Sequence, residues 1–86
     1  MTPVEIEEEV FATEGVRVVI RANRRTQLGD YQYDRMAANN STIKEWLDRR
    51  VIPIIEGNEV VVINGEGVRP NGQMSLARLR ASYRRD

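Results

Sequence analysis

Four carboxylates at Glu5, Glu7, Glu8 and Glu9, three serines, and arginines gathered around two tyrosines are the side chains here that could do chemistry. A hard cation needs several oxygens converging on one point. The alternation around the acids predicts a strand, along which Glu5, Glu7 and Glu9 line one side without converging, as on a solvated edge kept from aggregating. Ser41, Ser75 and Ser82 have no histidine to activate them, and Lys44 is the only lysine, with nothing to place it near a serine. The sequence contains no cysteine and no histidine, so the thiolate and imidazole ligands of zinc sites, redox pairs and most triads are missing. Gly65-Glu66-Gly67 follows a predicted strand, as a phosphate-binding turn does. The next glycine is Gly72, however, and no second βαβ half fits, so a tight turn is the better reading. The expectation is a protein that is not an enzyme and takes no metal or cofactor.

Binding is better represented. Twelve of the 13 basic residues are arginine, a side chain suited to bidentate contacts with carboxylate or phosphate, although genome composition produces the same bias. Thirteen bases and 13 acids sum to a net charge of zero, yet they are segregated. Residues 1–14 hold five glutamates and no base, whereas the last twelve residues hold Arg78, Arg80, Arg84 and Arg85 against Asp86. Tyr31 and Tyr33, among Arg24, Arg25 and Arg35, have the composition of a surface for single-stranded nucleic acid or protein. The alternative is a loop folded over the sheet with its rings as a lid.

These groups must be positioned by a chain of 86 residues. A domain of that size buries only about 60–65% of its unfolded surface. Val4, Ile6, Val10 and Ala12, then Val16, Val18, Ile20 and Ala22, alternate with polar residues, which predicts a hairpin over 4–22 turning at Thr13-Glu14-Gly15. Its register sets Ala12 opposite Val16, Val10 opposite Val18, Ile6 opposite Ala22 and, on the outer face, Glu7 opposite Arg21. Residues 23–40 read as a long loop, with a brief alternation at Tyr31-Gln32-Tyr33. Thr42 with Glu45 fits a capping box, or Ser41 is the cap. Ile43, Trp46, Leu47 and Val51 then form an apolar stripe, which predicts a helix over 42–52 that Pro53 ends. The consecutive apolar residues Val60 to Ile63 predict a central strand at 59–63 covered on both faces. Asn64-Gly65 and Arg69-Pro70-Asn71-Gly72 mark turns. The tail, 75–86, fits a helix capped by Ser75 or an extended segment. The predicted class is α+β, a single domain with a small mixed sheet and an N-terminal hairpin packed on one helix.

The segment Val61-Val62-Ile63-Asn64-Gly65, through Val68 to Asn71-Gly72-Gln73-Met74-Ser75-Leu76, resembles the strand, glycine turn and serine-leucine segment of ubiquitin-like β-grasp domains. The helix start at Thr42-Ile43 is similar too. The resemblance implies a β-grasp-like fold used as a protein-binding adaptor. Arg84-Arg85-Asp86 in place of a diglycine departs from it and does not support conjugation.

The function expected is therefore protein–protein interaction, with another protein or a second copy, through either the outer face of the hairpin or the Arg-rich end. Phe11, Arg17, Val19 and Arg21 are its candidate residues, since exposed Phe and Val among arginines match interface composition. The alternative is a small nucleic-acid-binding regulator similar to phage excisionases. In that reading a helix carrying Lys44, Arg49 and Arg50 precedes a wing, and Arg78, Arg80, Arg84 and Arg85 add phosphate contacts. Zero net charge and the acidic first segment oppose it. The longest apolar run is four residues, Val60–Ile63, and no signal peptide is apparent, so a cytoplasmic location without membrane contact is expected.

Overall fold

The computed structural model describes residues 1–83. In chain order it contains helix α1 (Pro3–Glu14), strand β1 (Arg17–Arg21), helix α2 (Ile43–Trp46), strand β2 (Glu59–Ile63) and helix α3 (Leu76–Ser82). α2 runs on through a π-helical turn, Leu47–Val51, and a 3-10 turn, Ile52–Ile54. The fold is thus mixed α+β, with β1 and β2 forming a two-stranded antiparallel sheet.

The N-terminal segment corrects the sequence reading, because residues 3–14 are helical and there is no hairpin over 4–22. Thr2 is an N-cap. Its hydroxyl accepts from Glu5 N–H at 3.3 Å while the Glu5 carboxylate accepts from Thr2 N–H at 2.8 Å, a reciprocal capping box. The Thr2 amide holds the Glu5 carboxyl below its ordinary pKa. Pro3 occupies the first turn, where its missing N–H costs nothing. Gly15 ends the helix at φ 69°, in the left-handed conformation that suits glycine, and its N–H donates to Phe11 O at 2.9 Å. Ile6, Val10 and Glu14, four apart, face the core. Glu8 is exposed on the helix.

β1 keeps the predicted alternation, with Val18 and Ile20 buried and Arg17, Val19 and Arg21 exposed, but its partner is β2. The register runs from Arg17 opposite Ile63 to Arg21 opposite Glu59. Arg21 therefore pairs with Glu59 at 3.2 Å and not with Glu7. Glu7 instead accepts from Ile20 N–H at 2.9 Å, covering a donor on the edge of β1 that faces away from β2. Strand 59–63 forms where the apolar run predicts it, but it has one strand neighbour and is not a sheet centre.

Residues 23–40 form the long loop expected, without regular structure, and Leu28, Tyr31 and Ala37 enter the core. In the helical segment the buried positions are Ile43, Trp46 and Val51. The step of five from Trp46 to Val51 suits a π-turn, closed by Ile52 N–H donating to Leu47 O. The described part of the tail resolves as a helix, α3, capped by Ser75.

α2 and α3 start against each other. Ile43 and Lys44 N–H donate to Met74 and Gly72 O, and Leu76 and Ala77 N–H donate to Ser41 and Asn39 O, all at 2.8–3.0 Å. Each segment thereby satisfies first-turn donors of the other helix. At the far end of α3 the backbone passes so close to Gly65 that a Cβ there would lie 1.7 Å from Ser82 O, which explains a glycine in that turn. Among the described residues, no helix is long and apolar enough to cross a membrane.

The helical assignment of residues 3–14 predicts that Thr2→Ala lowers stability by about 1 kcal/mol in denaturant unfolding, the usual value of an N-cap. An unchanged midpoint would contradict the capped helix.

Candidate functional site

α1 carries two stripes. The inner one ends in Glu14, the only buried charged side chain among the described residues, with no exposed surface. Four donors converge on its carboxylate. Oε2 accepts from Tyr31 OH at 2.5 Å and Arg50 Nη1 at 2.8 Å, and Oε1 accepts from Ala37 N–H at 2.7 Å and Arg80 Nη2 at 3.1 Å. Arg80 Nε also donates to the Glu14 backbone carbonyl at 2.8 Å and its Nη1 to Asn39 Oδ1 at 2.7 Å. Arg50 Nη1 is shared with Arg35 O at 2.7 Å, and Trp46 Nε1 donates to Tyr31 OH at 3.0 Å. Burial, with the Glu14 carboxylate beside it, pushes the Tyr31 phenol well above its ordinary pKa. Among the described residues no buried side-chain nitrogen or oxygen lacks a hydrogen-bond partner, and the cluster is an anchor between α1, the loop, the π-turn and α3.

The outer stripe of α1 is Val4, Glu7, Glu8 and Phe11, spaced i, i+3, i+4 and i+7, which puts them on one side of the helix. Together with Arg17, Val18, Val19 and Ile63 from the sheet they line an open groove of about 550 Å³. Val4, Phe11 and Val19 are 46%, 50% and 40% exposed. One end is closed by Arg17, whose guanidinium lies 5.7 Å from the Phe11 ring centre and 5.9 Å from that of Tyr83. The Tyr83 hydroxyl wedges into the end of the sheet, accepting from Arg17 N–H at 3.1 Å and donating to Ile63 O through a short hydrogen bond. Burial raises its pKa as well.

Of the residues singled out for protein binding, Phe11, Arg17 and Val19 come together in this groove. Arg21 does not line it and is paired with Glu59. Val4, Glu7, Glu8, Val18 and Ile63 also line it and are the residues that sequence reasoning missed. Val4 could have been found from its i, i+7 relation to Phe11 once residues 3–14 were taken as a helix.

Three members of the nucleic-acid set are held in ion pairs. Arg50 and Arg80 are committed to Glu14, and Lys44 pairs with Asp48 at 2.6 Å. Arg84 and Arg85 lie outside the described residues. Arg49 and Arg78 stay exposed, without an ion pair among the described residues. Tyr31 is buried against Trp46 and Glu14. Tyr33 packs edge-on against it, ring centres 4.9 Å apart, beneath the Arg50 guanidinium at 4.2 Å. Tyr31 is thus a buried core ring, and the exposed Tyr33 is held between it and Arg50.

The other sequence candidates have structural employment. Asn64 Oδ1 accepts from Glu66 and Val68 N–H at 3.0 and 2.9 Å, and Gly67 N–H donates to Asn64 O, so the glycine turn is closed on itself. Ser75 caps α3, and Ser82 Oγ accepts from Gly65 N–H while donating to Leu79 O. Among the described residues no group of three acidic, histidine or cysteine side chains could hold a metal ion. No family model, curated protein or solved structure matches the chain.

Removing the charge of Glu14 leaves two arginines facing each other without their counter-ion. Glu14→Gln is expected to lose about 3–5 kcal/mol of stability, read from the urea midpoint. A loss below about 1 kcal/mol would show that the carboxylate is not the anchor described.

Proposed function

We propose that the protein is a non-enzymatic protein-binding module, an adaptor whose partner docks on the outer face of the sheet beside α1. The observation that carries this reading is the convergence of Phe11, Arg17 and Val19, with Val4 and Ile63, on one open groove. Its lining is mainly apolar, with an arginine stacked on an aromatic ring at one end and carboxylates on one side. That is the make-up of an interface core with a polar rim. One wall is a sheet face and the other a helix flank, a shape that receives side chains of another protein more readily than it encloses a small molecule.

The finer, ubiquitin-like reading is supported by the segment from Val61 to Leu76, where a strand, a glycine turn and a serine-capped leucine follow in the expected order. The helical N-terminal segment weighs against a hairpin-first β-grasp, and docking in the groove does not depend on that relationship. Nucleic-acid binding is the weaker reading, because two of the arginines it relied on, Arg50 and Arg80, are paired with the buried Glu14. The first-turn N–H groups Ile43, Lys44, Leu76 and Ala77 of α2 and α3 donate to backbone carbonyls of the opposite segment and are not open to phosphate.

A photo-crosslinking amino acid placed at Val19 and irradiated in native host cells should give a discrete covalent adduct with protein. The same amino acid at Arg78, which does not line the groove, should not. Equal adducts from both positions, or none from position 19, would overturn the proposal.

A further inference from the structure

We infer that the partner on this face is a second copy of the chain, joined about a two-fold axis running along the groove; this rests on the protein-binding reading above and names its partner. The first support is the sheet itself. Val60 to Ile63 and Val18 to Ile20 are apolar on consecutive positions, the pattern of strands covered on both faces. Within one chain the core covers only the inner set, Val18, Ile20 and Val62, with Val60 packed against it. The outer set, Val19, Val61 and Ile63, has Phe11 and Val4 beside it and remains open to solvent in part. Two strands alone are a marginal sheet, and stacking a second sheet on the outer face is an ordinary way to complete one.

The second support is charge complementarity. The helix wall of the groove is acidic, with Glu7 and Glu8, and the sheet wall is basic, with Arg17. Glu7 is held by Ile20 N–H, which leaves Glu8 as the exposed acid. Glu8 and Arg17 both flank Phe11, one three residues before it on the helix and the other against its ring. A two-fold along the groove turns the helix wall of one copy onto the sheet wall of the other, so Glu8 meets Arg17 twice, and the two Phe11 rings fall in the same apolar centre. Such a contact is self-complementary, as an isologous dimer requires. The formal charge of zero leaves no net repulsion to oppose it.

Sedimentation velocity of the full chain across micromolar to submillimolar concentrations should show a reversible shift from the 9.9 kDa chain mass to twice that value. Val19→Glu, on the exposed face of β1, should remain a single chain throughout with an unchanged circular dichroism spectrum. Glu8→Arg and Arg17→Glu should each weaken association at least about tenfold, and the double swap Glu8→Arg with Arg17→Glu should recover most of it. A wild-type chain that stays at 9.9 kDa overturns the inference, as does a dimer indifferent to Val19→Glu. If the chain is monomeric and the adduct from position 19 contains a different protein, the inference falls while the protein-binding reading stands. If it is monomeric and no adduct forms, both fall.

Discussion

The fold turns on one buried carboxylate. Burying an ionised glutamate is costly unless its lone pairs and its charge are both satisfied. At Glu14 they are, by the Tyr31 hydroxyl, the Ala37 amide and the guanidinium groups of Arg50 and Arg80. The four donors come from three regions of the chain, the 23–40 loop, the π-turn and α3, that have no sheet or long helix in common. The loop of residues 23–40 has no regular structure; Leu28 N–H donating to Met1 O and Gly29 N–H donating to Ile54 O fix its first part, and the Glu14 cluster fixes the rest. Through Tyr31 and Ala37 the loop acquires two points attached to the last residue of α1, and through Arg35 O and Asn39 a hold on the same two arginines. Hydrogen bonding of this kind specifies one arrangement even where its net contribution to stability is modest.

The groove follows from that anchoring. Because Glu14 holds the C-terminal end of α1 and Glu7 is tied to Ile20 N–H, the helix lies beside β1 with its outer stripe turned toward the sheet's outer face. Phe11 thus stands next to Arg17 and Val19 instead of opposite them on a strand. The same geometry leaves a small protein with an apolar surface that its own core does not use. For a chain of 86 residues, limited in how much surface it can bury, a second layer supplied by a partner is the completion of the sheet that we propose.

Local signals made some of this legible. The capping box at Thr42, the apolar run at 59–63, the alternation of β1 and the Ser75 cap each depend on residues close in sequence, and each is found in the structure. Residues 3–14 misled because Val4, Ile6, Val10 and Ala12 satisfy a period of two while Ile6, Val10 and Glu14 satisfy one of four. Thr2, Pro3, Glu5 and Gly15 carry the helix termination signals that decide between them, and they outweigh the weak alternation. The exposure of Phe11 was read correctly on the wrong element. The Glu14 cluster was not legible at all. Its members stand 17, 23, 36 and 66 residues from Glu14, and nothing local to Arg50 or Arg80 distinguishes a buried partner from a solvent-facing cation.

Zero net charge takes on a more specific meaning in this light. Part of it is an internal neutralisation at the centre of the molecule, and part is an acidic helix wall facing a basic sheet wall across the groove. The central claim, that Glu14 welds an irregular loop into the cooperative core, is tested most directly by native-state amide hydrogen exchange at Ala37. Its N–H donates to Glu14 Oε1 at 2.7 Å, so it should exchange only through global unfolding, as slowly as Val19 in the sheet. Exchange at Ala37 as fast as that of its exposed loop neighbours would contradict the account.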